Sequence, residues 1–550
     1  MTTDSDNTPY EETDALLGGE SPPPSYRLKR IREKPAIIIF LCVLSVFTVD
    51  FGSYLALAPQ TRIYEAIACR NYYEKHDPGR YRLLEDIPEA ACKISPVQGE
   101  VAFVQGLQIS FEALPSILLS VPYGRLADNV RYGRKFGLTL AVVGILLGQV
   151  WVVLVCWFSQ VMPLRAVWLG SVALYMGGGA GMATAMLTTM ITDVVEARFR
   201  STAFFQLALS IVLAQFVAPL VSSRMMLKGS PWDPLFLGTI CATLSLPLLS
   251  MLPETVQFRE LKKHQPPTSQ DQDTGDDSIE VPFTTNLNHP SKLNLNHRLQ
   301  LLQAATYSII PNVTTALILG ILFITNLGSQ HLSILLLYVS TRYSIPLSKA
   351  NFALTIFAGV NIFLLLIFLP TVSRYLTVSR QYSSTAKDLI LSKYSITMYM
   401  LGALFISLSP TIPTMITGLV IYTLGSGLNA LNLSLVATFV EPKHMARLYS
   451  VVSVVSKLGV FVGSPLLAAL FSLGLKLGNG WVGLPYFGMA LLYGIIFVAV
   501  WFIRLPVKVG DGDHDNWEGG YEGRDVETTP SSSSTLRYTD NRRRREDSPL

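Results

Sequence analysis

Twelve apolar segments, each about as long as a membrane-spanning helix, recur along this 550-residue chain. A helix needs about 20 mostly apolar residues to cross the roughly 30 Å hydrocarbon core of a bilayer. The segments predict spans at 36–59, 101–122, 137–159, 165–191, 201–224, 233–252, 312–339, 349–370, 394–412, 414–438, 445–473 and 483–503. The chain is therefore predicted to be an all-α membrane protein with twelve transmembrane helices.

The composition excludes several other classes. Charged residues make up 15% of the chain and hydrophobic residues 50%, whereas about 25% of a soluble protein is charged. This argues against several soluble domains, a disordered chain or a coiled coil. The net charge of +4 is too small to indicate a nucleic-acid partner. The sequence has no Walker motif, metal-ligand cluster or nucleophile elbow, so we expect neither an enzyme nor a cofactor.

A polar stretch between the sixth and seventh spans divides the chain. We predict a disordered N-terminal tail at 1–35, a six-helix half at 36–254 with a loop at 60–100, a central loop at 255–305, a second half at 306–504 and a disordered tail at 505–550. Residues 297–311 are amphipathic and are expected either to lie on the membrane surface or to lead into the seventh span.

The distribution of Lys and Arg predicts the orientation, because these residues are enriched in short cytoplasmic loops. Five precede the first span, and four lie in each of the 2–3 and 8–9 loops. Both termini are therefore predicted to be cytoplasmic. Cys69 and Cys92 lie in the loop on the opposite, oxidising side, where they either form a disulfide or remain two free thiols. The membrane is predicted to be the plasma or the vacuolar membrane, since residues 12–17 resemble an acidic dileucine sorting signal.

The two halves share small-residue clusters. Gly177-Gly178-Gly179-Ala180-Gly181 in the fourth span and Gly425-Ser426-Gly427 in the tenth are 248 residues apart. Repeats of this kind are typical of secondary transporters, which bind their substrate between the repeats. We predict two six-helix pseudo-repeats; the alternative is a coincidence of common residues.

The 2–3 loop carries a family motif. The sequence Gly124-Arg125-Leu126-Ala127-Asp128, followed by Arg131-Tyr132-Gly133-Arg134-Lys135, resembles the signature of the major facilitator superfamily, with Asn129 and Val130 as two extra residues. The resemblance implies the major facilitator fold and a cytoplasmic latch. Its residues would be Gly124, Asp128, Arg131, Gly133, Arg134 and Lys135, with Asp193 and Glu196 as carboxylate partners. The alternative for the cations is a simple positive-inside anchor.

The loop at 60–100 carries a second resemblance. Cys69-Arg70-Asn71-Tyr72-Tyr73 is similar to loops of fungal members related to the proton-coupled folate transporter group. This resemblance implies a transporter of a solute together with protons, without naming the solute.

Ionisable residues inside spans are costly, so each one is a functional candidate. The candidates for proton coupling are Asp50, Glu112 and His331. The candidates for the substrate cavity are Asn326, Gln330, His331 and Lys457. For each of them the alternative is a structural role, as a packed side chain or as half of a static pair.

The sequence thus predicts a monomeric secondary active transporter in the lipid bilayer, which moves a small solute by alternating access with protons as the coupling ion. Two alternatives remain open: an efflux antiporter for drugs, toxins or metabolites in the same fold, and a nutrient sensor that does not transport.

Overall fold

The computed structural model describes residues 35–78, 87–127, 133–195, 197–255, 313–328, 331–382, 384–438, 445–478 and 480–501. These residues form helices and turns, with no β-strand among them. The predictions for the two tails, for nearly all of the central loop and for the amphipathic stretch at 297–311 lie outside the described residues.

Each predicted span of the first half matches a helix and extends at most two residues beyond its end. The six are α1 (Pro35–His76), α2 (Ser95–Ala127), α3 (Gly133–Trp157), α4 (Leu164–Val194, with an internal break), α5 (Ala197–Lys228) and α6 (Trp232–Met251).

The second half repeats this order, with two broken spans. Its helices are α7a (Val313–Leu327), α7b (His331–Arg342), α8 (Leu347–Ser379), α9 (Ser384–Leu408), α10a (Ile412–Thr423), α10b (Leu428–Thr438), α11 (Met445–Leu477) and α12 (Leu484–Trp501). Among the described residues ten helices are long and apolar enough to cross a membrane, the bent pair α7a and α7b adds an eleventh, and α12 contains a shorter apolar helix. The predicted all-helical fold of twelve spans in two repeats is confirmed.

Helix α1 is longer than the predicted span, which ended at residue 59. It continues to His76 through Pro59, so its 42 residues measure about 63 Å at about 1.5 Å per residue. Residues 60–76, expected in the loop, are therefore helical. Thr61, Tyr64 and Glu65 in this extension are buried, because polar side chains of α2 face them.

Two helix pairs join the halves. Helix α2 packs along α11, and α5 packs along α8. A Cβ atom on Gly106 would lie 2.8 Å from the Cβ of Ala468, so glycine permits α2 and α11 to approach closely. Ser110 Oγ also donates a hydrogen bond across this contact to the carbonyl of Phe461 at 2.8 Å.

The small-residue clusters of the fourth and tenth spans interrupt both helices. In α4 the helix breaks at Gly177 and Gly178 and resumes at Gly179, with φ values of 77° at Gly178 and 69° at Gly179. In the tenth span residues 424–427 form turns between α10a and α10b. The corresponding breaks show that the sequence repeat is also a structural repeat.

Candidate functional site

Arg134 and Asp193 form a buried ion pair at one end of the bundle. The side chains are 6% and 7% exposed. Arg134 also donates to the carbonyl of Thr189 at 2.8 Å, and Thr255 Oγ1 donates to Asp193 at 3.3 Å. The pair therefore joins the start of α3 to the end of α4. We call this end of the bundle, which carries the 2–3 loop, the motif end.

Glu254, which follows α6, completes this cluster and was not predicted. Its carboxylate accepts hydrogen bonds from the backbone N–H groups of Arg134 at 2.9 Å and Lys135 at 3.1 Å. An acidic group at a helix N-terminus is favourable because the first N–H groups lack partners within the helix. The signal in the sequence is the Pro253-Glu254 pair directly after the sixth span.

The other latch candidates divide into two groups. Lys135 Nζ donates to the carbonyl of Ser250 at 2.8 Å, and Gly124 lies in the last turn of α2. Asp128, Arg131 and Glu196 lie outside the described residues, as do the two extra residues of the motif. The bonds named here connect α3, α4 and the segment after α6, all in the first half.

Glu112 lies near the middle of α2, fifteen residues before its end at Ala127. One turn before it, the buried Gln108 donates to the Glu112 carboxylate at 2.9 Å. One turn after it, Ser116 donates to the carbonyl of Gly178 at 2.8 Å. This face of α2 therefore points to the interior, yet Glu112 is exposed.

Lys457 of α11 approaches the same region from the other half. Its Cε atom and the Oγ of Ser116 each lie 3.1 Å from the position of a Cβ on Gly181. Among the described residues Lys457 has no hydrogen bond or ion pair. A carboxylate and an ammonium group thus lie on opposite sides of the contact between the halves, close to the break in α4.

Asp50 lies in the middle of α1, fifteen residues from its start at Pro35. It is half-buried. It lies close enough to Tyr54, one turn later, for an electrostatic interaction, and no hydrogen bond or ion pair joins it to another described residue.

His331 lies in a cluster of aromatic rings within the second half. Its ring centroid is 4.9 Å from that of Tyr422 and 5.3 Å from that of Phe357, and its Nδ1 is 3.0 Å from the carbonyl of Gly328. The side chain is 8% exposed. The structure thus places it among its own half's helices, and its predicted role in the cavity remains a prediction.

Asn326 faces α11. Its Nδ2 donates to the carbonyl of Leu322 at 2.8 Å and to Ser456 Oγ at 3.3 Å. Gln330 lies outside the described residues. The structure therefore connects Asn326 with the helix that carries Lys457.

A polar stripe on α2 was missed. Gln98, Gln105, Gln108 and Glu112 follow at intervals of seven, three and four residues, which places them on one face of a helix. This spacing is visible in the sequence and predicts a polar face on the second helix.

The stripe binds α1. Gln105 Nε2 donates to Thr61 Oγ1 at 2.7 Å. The Tyr64 hydroxyl donates to Gln108 Oε1 at 2.9 Å and accepts from Gln60 Nε2 at 2.8 Å. A hydrogen-bonded chain from Gln60 to Glu112 therefore runs between the two helices.

Cys69 of α1 and Cys92 form a disulfide, with Cα atoms 5.4 Å apart. Cys92 ends a short 3₁₀ helix at Glu89–Cys92. We call this end of the bundle the disulfide end. The disulfide fastens the segment before α2 to α1.

Comparison with known proteins identifies relatives over most of the chain. The sequence profile described as Major Facilitator Superfamily matches residues 93–387. The MFS efflux pump atnC of Emericella nidulans is 33% identical over 499 residues, covering 89% of this chain and 91% of that protein. The efflux pump ustT of Aspergillus flavus is 27% identical over 470 residues, covering 85% and 88%.

Solved structures share the fold. A D-xylose–proton symporter superposes with a TM-score of 0.53 at 14% identity, covering 85% of this chain and 97% of that one. The human organic anion transporter MFSD10 gives 0.51 at 13% identity, covering 85% and 99%. At these identities the likeness establishes the architecture alone.

Proposed function

The chain belongs to the major facilitator superfamily of membrane transporters, and on that premise we propose that it exports a small molecule in exchange for protons. The observation that carries the proposal is that three ionisable side chains, Asp50, Glu112 and Lys457, lie within membrane-spanning helices. Relatives that are named efflux pumps, and that match this chain over most of its length, support the direction of transport.

The charge of this group supports an exchange. With both carboxylates and the ammonium ionised, the site carries one net negative charge. A site of low dielectric disfavours an uncompensated charge. Either one proton or a cationic group of the substrate neutralises it, so the two compete for the same place. Competition of this kind lets protons that enter drive the substrate out.

The surroundings of Glu112 support a coupling between its protonation and the movement of the halves. Gln108 donates to the carboxylate, and Lys457 approaches from the other half without an ion pair among the described residues. When the halves rock, the distance between Glu112 and Lys457 changes because they lie on α2 and α11. The movement then alters the charge around Glu112, which couples its protonation to the direction in which the site opens.

We further propose that the disulfide end faces outward and that both termini are cytoplasmic. The excess of Lys and Arg in the loops of the motif end supports this orientation, and the disulfide is favoured in an oxidising compartment. The cluster of Arg134, Asp193 and Glu254 would then make the cytoplasmic side of the first half rigid, so that the half moves as one body.

The test compares host cells that carry the wild-type chain, Asp50→Asn or Glu112→Gln, with Glu100→Gln as a control in an exposed pair at the disulfide end. Mass spectrometry of medium and cell extracts measures which metabolites move. Export predicts a solute that rises in the medium and falls in the cells. A protonophore should abolish this change, and the two mid-span variants should reduce it at least tenfold while the control retains it.

The same experiment distinguishes the other functions. Uptake of a solute would give the opposite change in medium and cells. A sensor would alter no metabolite directly, and deletion of its tails would abolish signalling. Either result would refute export.

A further inference from the structure

Four charged side chains form a cluster at the disulfide end. Lys93 Nζ lies 2.6 Å from Glu65 Oε1 and 3.0 Å from Glu89 Oε1. Arg62 lies 3.2 Å from Glu65 Oε2 through Nη1 and 3.3 Å from Glu89 Oε2 through Nε. Each cation therefore contacts both carboxylates, and the four charges cancel. We call these four residues the disulfide-end cluster.

The disulfide-end cluster is desolvated and belongs to the first half. The Glu65 side chain is 0% exposed and that of Lys93 is 7% exposed. Buried charges need partners because the loss of hydration is expensive. Arg62 and Glu65 lie on α1, whereas Glu89 and Lys93 flank Cys92 in the segment that the disulfide ties to α1. The ion pairs therefore hold together without the second half.

Among the described residues, Glu89 and Gln98 form hydrogen bonds from this region to the second half. Glu89 Oε1 accepts the backbone N–H of Leu347, at the start of α8, at 2.7 Å. Gln98 Nε2 donates to Glu65 Oε1 at 2.5 Å, and Gln98 Oε1 accepts from Thr341 Oγ1 of α7b at 3.2 Å. Both bonds connect the first half to residues that flank the turn between α7b and α8.

We propose that the disulfide-end cluster, with Gln98, is the gate that closes this end of the translocation path. The gate opens by breaking the bonds from Glu89 to Leu347 and from Gln98 to Thr341. The ion pairs stay intact within the first half during this movement. A gate of this design is reversible because the charges keep their partners in both states, and the hydrogen bonds to Leu347 and Thr341 are exchanged for water.

The disulfide has a defined part in the gate. It holds Glu89 and Lys93 against α1, so this surface has the same shape whether the gate is open or closed. The inference rests on alternating access in the proposed function, but it depends neither on the substrate nor on protons.

The test measures the opening of the gate directly. Ser348 in α8 lies next to Leu347 and is 7% exposed; Ser348→Cys therefore introduces a thiol that reagents reach only when this region opens. The purified full chain is placed in lipid nanodiscs, where both faces of the bilayer are accessible, and labelled with a water-soluble maleimide. The same chain without the Ser348→Cys change gives the labelling of Cys42, Cys156 and Cys241.

Two variants weaken the gate in different ways. Glu89→Gln removes the charge that strengthens the bond to Leu347 and should raise the labelling rate of the reporter about tenfold, as the loss of a charge-assisted hydrogen bond implies. Thr341→Val removes the other bond without touching an ion pair and should raise the rate about threefold to fivefold. Glu89→Gln also disturbs the ion pairs and could misfold the protein. Thr341→Val leaves the ion pairs unchanged, so a faster labelling rate in this variant reports the gate itself.

Glu100→Gln is the matched control. Glu100 pairs with Arg165 at 2.9 Å at the same end of the bundle, but within the first half and with the Arg165 side chain 57% exposed. The Ser348→Cys protein that also carries Glu100→Gln should be labelled at the same rate as the protein with Ser348→Cys alone. An unchanged rate in both Glu89→Gln and Thr341→Val would overturn the gate, and so would an equal rise in the control. Because no substrate or pH gradient is used, failure of the gate and failure of proton-coupled export are distinguishable.

Discussion

Glu254 accepts the backbone N–H of Arg134 at 2.9 Å, so the residue that follows the sixth helix caps the third. The same carboxylate lies directly over Gly133, where a Cβ atom would overlap it. Gly133 has a φ of 72°. The glycine of the 2–3 motif is thus required twice, by its backbone conformation and by the carboxylate above it.

Gly133→Ala should destabilise the protein. An alanine with positive φ costs about 1–2 kcal/mol, and the displaced Glu254 loses its bonds to the start of α3. We expect a decrease in the free energy of unfolding of about 2–3 kcal/mol, measured as a lower unfolding temperature in detergent. Gly320→Ala is the control, because nothing lies within 4 Å of its added Cβ in helix α7a. Equal unfolding temperatures for the two variants would contradict the prediction.

The ion pair of Arg134 and Asp193 should show strong coupling in a double-mutant cycle. Removal of one partner deprives the other buried charge of this ion pair and costs about 3–5 kcal/mol. Asp193→Ala and Arg134→Ala should each be this destabilising, while the double variant should cost much less than their sum. Chemical unfolding of the four proteins measures the coupling.

The exposed pair of Glu100 and Arg165 provides the comparison for this cycle. Exposed pairs contribute about 0.2–1 kcal/mol, so the same cycle at this pair should give a small coupling energy. If the two cycles give equal coupling energies, burial does not strengthen the ion pair of Arg134 and Asp193.

Hydropathy placed the helices well because the lipid core requires long apolar segments. It failed at α1, where residues 60–76 are helical but contain polar side chains. Thr61, Tyr64 and Glu65 are polar yet buried, since the stripe on α2 satisfies their hydrogen bonds. A scale that scores single segments cannot register a polar surface that two helices share.

Part of the candidate site could be predicted from the sequence, because the lipid core also makes charged residues rare within the spans. Asp50, Glu112 and Lys457 stood out because a charge in an apolar span is rare. Glu254 and Glu89 did not, since both are ordinary loop or turn acids until tertiary structure brings them to Arg134 and Leu347. Their partners lie more than 100 residues away in the chain, a distance that no local pattern encodes.

Loss of the disulfide should destabilise the first half. Cys69 and Cys92 are separated by 23 residues, and a loop of this size is stabilised by about 3 kcal/mol when it is closed. The double variant Cys69→Ala/Cys92→Ala should lose about this much free energy of unfolding. Intact mass after alkylation, with and without a reductant, verifies the bond. Alkylation of both residues without reductant in the native chain would contradict it.

The hydrogen-bonded chain that leads to Glu112 should set the rate of proton-coupled transport without being its proton acceptor. Gln108→Leu removes the donor to the Glu112 carboxylate and also leaves the Tyr64 hydroxyl without its acceptor. We expect transport to slow several-fold while it still depends on the pH gradient, because Glu112 remains. Glu112→Gln should instead abolish the dependence on the gradient.

Flux of the exported solute in proteoliposomes, measured over a series of imposed pH gradients, distinguishes Gln108→Leu from Glu112→Gln. Gln149→Leu on α3, outside this chain of bonds, should leave the flux unchanged. A Gln108→Leu protein that lost its response to the gradient entirely would mean that the glutamine, and not the carboxylate alone, carries the coupling.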